Sequence, residues 1–256
     1  MNIAITTIIL AILLLPGIVF RRFYYTEEFS KQYQRKNFFE LFFSSLIPSL
    51  LFHSIWYFLI QTFGYNIDFT TIGYLFSKNS DIAYSNIDNY FPQIILYHLS
   101  IILFAAFIGF FSKKIIRYYR IDRKIKFFRF SNSWHYLFSG EFFDFPRAAF
   151  NIKEDIDQIE YFYVDVVVET NYGTLLYEGF LVDYELDDFG ELNYITLKET
   201  QRRLLENDNS NDKYDIPGHI IIIPYSSIKN INLTFLKLDI EEIKDNELKV
   251  ELIMIE

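Results

Sequence analysis

Three long apolar runs without a charged side chain dominate the first half of this chain and constrain its fold more than any other feature. They extend from Ile3 to Phe20, from Leu41 to Phe63 and from Gln93 to Phe111. A bilayer core of ~30 Å requires about 20 apolar residues in a helix. Helices of soluble proteins usually keep one polar face, so these runs predict three transmembrane helices, over residues 3–20, 41–63 and 93–111.

The first run also has the length of a cleaved signal peptide, which is the competing interpretation. A signal peptide needs a basic segment before the apolar run and a small-residue cleavage site after it. Met1 and Asn2 carry no basic side chain, and "PGIVFRRFYY" contains no Ala-x-Ala. We therefore predict that the first helix is retained.

Positive charges in the connections between these runs predict the orientation. The connection from Arg21 to Glu40 holds five lysines or arginines, and the one from Gly64 to Pro92 holds one. The segment "SKKIIRYYRIDRKIKFFRF", from Ser112 to Phe130, holds eight. Because such charges collect on the cytoplasmic side of a membrane, we expect a multi-pass inner-membrane protein with its N-terminus outside and residues 113–256 in the cytoplasm.

The basic segment after the third run also suggests a binding surface. If the third helix continues into it, Lys113, Arg117, Arg120 and Lys124 form one stripe along the helix. Such a stripe attracts anionic lipid headgroups at roughly 1 kcal/mol per charge. Two alternatives stay open: the charges fix the topology and nothing else, or the stripe binds the acidic second half of the same chain.

The second half of the chain has the pattern of an antiparallel β domain. From Tyr161 the period changes to two, Gly173 and Gly190 mark turns, and Gly179 lies inside the second predicted strand, where it suggests a bulge. About five strands follow one another over residues 161–239. A small closed barrel is the economical way for so few strands to avoid exposed edges, and the predicted fold class is α+β.

The predicted organisation therefore has four parts. Residues 1–112 form the transmembrane region, and residues 113–160 form a basic juxtamembrane helix and connector. Residues 161–239 form a five-stranded antiparallel β-barrel. The tail, residues 240–256, adds a strand, pairs with another protomer or stays partly loose.

Two sequence stretches carry a resemblance to known proteins. "VDVVVETNYGTLLYEGFLVDYELDDFGELNYITL" and "IPGHIIIIPYSSIKNINL" resemble the Sm-like and SH3-like small barrels, in which a turn glycine precedes the second strand and another lies inside it. "PGIVFRRFYYTEEFSKQY" is similar to an uncharacterised bacterial membrane-protein family. That family joins N-terminal transmembrane helices to a cytoplasmic barrel of this kind, and the resemblance implies this architecture without a function.

Sm-like proteins often bind RNA, but the sequence disfavours that role here. Their Asp-x-Phe/Met-Asn motif is not reproduced in "DDFGELN", and residues 130–256 carry a net charge of −16. Affinity for nucleic acids comes largely from lysines and arginines that neutralise phosphates. No catalytic, cofactor or metal motif stands out, and the chain contains no cysteine.

Three functions remain as hypotheses. The first is a non-enzymatic membrane protein whose cytoplasmic barrel binds a partner or ligand and couples it to the helices, with membrane lipids and a homo-oligomer or protein partner as contacts. The alternative is an oligomeric pore-forming or membrane-disrupting effector, for example in bacterial defence, with serines such as Ser49 facing a lumen. A membrane enzyme that uses His53 or His98 is the weakest, since neither histidine has an acidic partner in its run.

Overall fold

The computed structural model describes most of the chain. The described residues are 3–34, 37–75, 80–148, 156–205, 213–243 and 247–255. They form two compact units, which meet in sequence between Arg120 and Ile121.

The first unit is helical, as the three apolar runs predict. Its helices are α1 (Ile3–Tyr24), α2 (Lys31–Gln34), α3 (Phe38–Thr62), α4 (Phe69–Leu75) and α5 (Ser80–Tyr118), with a 3-10 helix at Glu27–Phe29. Helices α1, α3 and α5 are long and apolar enough to cross a membrane. Helix α5 begins well before the predicted start near Gln93 and contains Pro92 within it.

Two glycines bring helix α1 close to both other long helices. A Cβ atom at Gly17 would lie 2.0 Å from the backbone oxygen of Ser45 in α3. A Cβ atom at Gly109 in α5 would lie 2.4 Å from the backbone oxygen of Phe20. Small residues at such crossings let helices approach closely, which is how helices pack where water supplies no driving force.

Polar side chains inside this unit form hydrogen bonds between the helices. The Ser49 hydroxyl accepts from the backbone NH of Gly17 at 2.8 Å and donates to the Leu14 carbonyl at 2.9 Å. The Trp56 indole NH donates to the Ser100 hydroxyl at 3.1 Å. These serines therefore tie α3 to α1 and to α5 within one chain.

The second unit is an antiparallel sheet preceded by short helices. The helices are α6 (Ile121–Lys124) and α7 (Ser133–Phe138), with 3-10 helices at Lys126–Phe128, Glu141–Asp144, Ile156–Gln158 and Tyr225–Ser227. The strands are β1 (Tyr161–Thr170), β2 (Gly173–Leu186), β3 (Leu192–Leu204), β4 (Tyr214–Asp215), β5 (Ile221–Pro224), β6 (Ile228–Ile243) and β7 (Glu247–Met254). Their order in the sheet is β4-β3-β2-β1-β6-β7, and β5 also pairs with β3.

The expectation of a five-stranded closed barrel needs correction. The described residues form seven strands, which curl into a half-barrel. Strand β6 pairs with β1 only as far as Leu236, opposite Tyr161, and then continues to Ile243 with β7 as its partner. The seventh strand thus comes from the tail, because β6 is longer than β1 and its free length pairs with the chain that follows.

The concave side of the sheet holds the core. Alternate residues of β1, Val164, Val166 and Val168, are buried there with Ile195 of β3. Phe138 of α7 packs against the same cluster. The alternation expected from the sequence is therefore confirmed for β1, and it leaves Tyr163 and its neighbours on the opposite, convex side.

Candidate functional site

A bulge between strands β2 and β3 shapes the convex side of the sheet. Glu178 pairs with Gln201 and Phe180 with Lys198, so Gly179 alone faces two residues of β3. Glu199, the first of those two, has a φ of 51°, a left-handed conformation that disfavours a side chain. The irregularity predicted at Gly179 is confirmed, and bulges of this kind bend the strand that carries the extra residue.

A groove lies beside this bulge. Thr200, the second bulge residue, is 6% exposed, and its hydroxyl is buried without a hydrogen-bond partner among the described residues. The groove is lined by Tyr163, Phe180, Glu199, Thr200, Gln201, Asp215 and Ile216. A buried hydroxyl without a partner is costly, and the bulge opposite Gly179 holds Thr200 in this position beside the groove.

Aromatic rings form one wall of the groove. The rings of Tyr163 and Phe180 meet edge to face with centroids 5.2 Å apart. The Lys198 ammonium lies 5.8 Å from the centroid of Phe180. The chain's own lysine thus already lies over the Phe180 ring.

Apart from the Lys198 ammonium, the electrostatic surroundings of this wall are negative. Burial raises the pKa of the Tyr163 phenol, and the nearby carboxylates of Glu178 and Asp165 raise it further. Glu199 and Asp215 add carboxylates to the lining itself. Since the described residues that line the groove include no lysine, arginine or histidine, this lining suits a cation better than an anion.

One carboxylate next to the groove is already neutralised. Glu178 is 6% exposed and forms ion pairs with the Lys213 ammonium and with the Arg203 guanidinium, whose Nε lies 3.4 Å from Glu178 Oε1. Glu178 therefore fixes β2 and β3 to the chain near β4, while Glu199 and Asp215 provide the charge that a ligand would meet.

The four residues of the predicted basic stripe do not share one helix. Helix α5 ends at Tyr118, and Arg120 has a φ of 53°. Lys113 and Arg117 lie in α5, whereas Lys124 belongs to α6 in the second unit. The condition for a continuous helical stripe is therefore not met, and a role of these residues in lipid binding stays a prediction.

Lys113 has a structural environment that the sequence did not reveal. It is 7% exposed, and its ammonium donates to the Thr26 carbonyl at 3.0 Å and to Glu27 Oε2 at 2.7 Å. Glu28 Oε1 lies 3.7 Å away, and the ring of Phe29 is within 5.4 Å. Lys113 thus holds the segment after α1 against α5.

Replacing this lysine tests that contact. We expect Lys113→Met to release the segment around Glu27 and to speed trypsin cleavage after Lys31 in detergent-solubilised protein. Lys114→Met is the matched control, because Lys114 is exposed and cleavage should then stay at the wild-type rate. Equal rates in both variants would contradict the role of Lys113.

The same contact predicts a pH dependence. The Lys113 hydrogen bond and charge lower the pKa of the Glu27 carboxyl. A lowered pKa stabilises the folded state above the ordinary glutamate range, and this contribution is lost as the pH falls through the lowered value. We therefore expect the segment around Glu27 to be released as the pH falls through the lowered pKa, and cleavage by pepsin in the acid measures this release directly. Trypsin, added on return to neutral pH after brief incubation in acid, would cleave faster after Lys31 only if the segment refolds slowly.

The two histidines of the apolar helices lie in ordinary packing positions. His53 Nε2 is 3.1 Å from the Leu13 carbonyl, and Nδ1 is 2.8 Å from the Tyr97 hydroxyl. A carbonyl only accepts, so the neutral ring donates from Nε2 and accepts at Nδ1. His98 Nδ1 bonds to the Ile94 carbonyl of its own helix, and these contacts supply no catalytic pair.

Comparison of the chain with known protein families, curated proteins and solved structures gives no match. The resemblance to small barrels therefore stays a prediction from the sequence pattern. The sequence pattern indicates Gly179 but not Thr200 or Tyr163, because a threonine and a tyrosine are ordinary residues in any strand.

Proposed function

We propose that this protein is a membrane-anchored binding protein whose sheet captures a cationic segment of a protein partner. The observation that carries the proposal is the groove beside the β2–β3 bulge, where the buried Thr200 hydroxyl lacks a partner among the described residues. Aromatic rings and carboxylates around it suit a lysine or arginine side chain, which is cationic.

The strand arrangement supports placing this sheet among the SH3-like and Sm-like small barrels. Strands β5, β3, β2, β1 and β6 are neighbours in that order, and a 3-10 helix at Tyr225–Ser227 joins β5 to β6. Strongly bent strands that share one core are typical of such barrels. The domain would then be of an interaction type, in agreement with a binding role rather than catalysis.

The charge distribution supports the proposed orientation. Three apolar helices are present, and the basic connections flank them as the positive-inside rule requires for an outside N-terminus. The second unit would then lie in the cytoplasm, where its groove meets cytoplasmic partners. A topology reporter fused after Glu256 that is active only outside the cytoplasm would overturn this orientation.

A binding experiment tests the groove directly. The full chain, in nanodiscs of neutral lipid, is titrated with a fluorescent peptide rich in lysine and arginine and with an acidic peptide of equal length. We expect only the basic peptide to bind, and we expect Phe180→Ala to weaken it by roughly 2- to 30-fold, the range of a cation–π contact of about 0.5–2 kcal/mol.

Two further variants separate the groove from general charge attraction. Asp215→Asn removes an exposed carboxylate of the lining and should weaken binding, whereas Phe189→Ala removes a ring at a distant turn that is 77% exposed and should change nothing. If all three variants bind the basic peptide like the wild type, the groove is not its site.

No structural observation favours the pore hypothesis in particular. Ser45 and Ser49 are buried within the described helices, and Ser44 accepts a hydrogen bond from Arg21 at 2.5 Å. Ser100 accepts from Trp56. These serines have partners inside one chain, so their presence is explained by helix packing.

A further inference from the structure

An exposed apolar and basic segment follows helix α6 in the second unit. Every residue from Lys124 to Phe128, "KIKFF", is exposed, and we name this segment the tip. Phe127 is 87% exposed and Ile125 is 49% exposed. Large apolar side chains exposed side by side usually mark a contact with another molecule or a membrane.

The tip is held in place by buried residues on both sides. Asp122 and Arg123 precede it at 0% and 8% exposure, and Phe130 follows it at 3%. The Tyr136 hydroxyl donates to Asp122 Oδ2 at 2.7 Å and accepts from the Phe130 backbone NH at 3.2 Å. The exposure of Phe127 is thus a feature of a well-anchored segment rather than of a loose end.

Two arginine side chains add further contacts that hold the tip in place. Arg123 donates to Asp144 Oδ2 at 2.8 Å, and its other terminal nitrogen lies 3.1 Å from Glu141 Oε1. Arg129 donates to the Arg123 carbonyl at 3.1 Å and stacks on the ring of Phe145. These arginines are occupied within the unit, whereas Lys124 and Lys126 have no partner among the described residues.

The position of the tip in the chain suggests its ligand. Helix α5, which is apolar enough to cross a membrane, ends at Tyr118. Phe127 is the ninth residue after Tyr118, and an extended chain of that length spans at most ~30 Å. The tip therefore stays close to the surface of any membrane that α5 crosses.

We propose that the tip inserts Phe127 into the interfacial layer of an anionic membrane, with Lys124 and Lys126 at the level of the lipid phosphates. Aromatic rings favour the membrane–water interface, and lysines near the surface are attracted to anionic lipids. The charge pattern of the tip favours an anionic membrane. Two ammonium groups without a partner among the described residues alternate with apolar side chains, and within the tip no acidic residue opposes them. This inference does not depend on the groove or on the orientation of the helices.

Depth-dependent quenching in nanodiscs tests the proposal. The chain contains no cysteine, so Phe128→Cys creates a single site for an environment-sensitive fluorophore and leaves Phe127 in place. Nitroxide lipids then report contact, in discs of phosphatidylcholine alone or mixed with phosphatidylserine. We expect several-fold stronger quenching by shallow nitroxides than for a label at Tyr172→Cys, a turn residue that is 94% exposed.

Changes in the tip itself separate ring insertion from charge attraction. Phe127→Ser should reduce quenching at position 128 in both lipid mixtures. Lys124→Gln with Lys126→Gln should remove the excess quenching in phosphatidylserine, since each lysine contributes about fivefold in binding near an anionic surface. The proposal is overturned if the label at position 128 is quenched no more than the label at 172. It is equally overturned if the label is shielded from water without lipid quenching, which would indicate a protein contact instead.

Discussion

Replacing Gly17 by valine is expected to separate helices α1 and α3 and to unfold the helical unit under conditions in which the wild type is folded. The new Cβ atom would lie 2.0 Å from the Ser45 backbone oxygen and 2.8 Å from the Ser49 hydroxyl. A backbone oxygen cannot move aside as a side chain can, so the helices must part. Overpacking typically costs about 1–3 kcal/mol, and we expect a loss at or above the upper end of this range.

Fluorescence of a single tryptophan measures this effect. The chain has two tryptophans, so Trp134→Phe leaves Trp56 as the reporter of the helical unit, where it bonds to Ser100. Gly73→Val is the matched control, because nothing lies within 4 Å of a Cβ atom at that position in α4. Thermal unfolding in detergent should shift strongly for Gly17→Val alone; equal midpoints in both variants would disprove the close crossing.

Contacts between residues far apart in the chain explain why the sequence predicted the helices better than the groove. Length and lack of charge are local properties, so the sequence reveals the apolar runs. The start of α5 at Ser80 was missed, because an apolar window detects only the membrane-like part of the helix. The buried environment of Lys113 depends on Glu27, which is 86 residues away. No local pattern distinguishes this lysine from its exposed neighbour Lys114.

The β domain shows the same division. The alternation of Val164 and Val166 predicted the buried face of β1, since a strand turns every second side chain to the same side. Gly179 signalled an irregularity in β2, but the left-handed conformation falls on Glu199 in β3, a residue that rarely adopts it. The groove at Thr200 follows from the register of two strands, which hydrophobic patterning alone does not specify.

Replacing Arg123 by methionine is expected to produce the largest loss of stability in the second unit. The Arg123 guanidinium lies 2.8 Å from Asp144 Oδ2 and 3.1 Å from Glu141 Oε1, and the side chains of Arg123 and Glu141 are each 10% exposed. Removing one partner of a buried ion pair costs about 3–5 kcal/mol, because the remaining charge stays buried without compensation. Trp56→Phe leaves Trp134 as the reporter for this unit, in which it stacks on Phe138.

Two further variants identify the physical cause of that loss. Lys229→Met removes an equal charge from an ion pair with Glu169 in which both side chains are more than half exposed, so its unfolding midpoint should remain near that of the wild type. Glu141→Gln, added to Arg123→Met, removes one of the two carboxylates that Arg123 paired with and should restore part of the stability. Two outcomes would show that charge compensation does not support the tip: equal unfolding of Arg123→Met and Lys229→Met, or a further loss of stability when Glu141→Gln is added to Arg123→Met. The tip would then have to be held by the packing of Phe130 and Tyr136 alone.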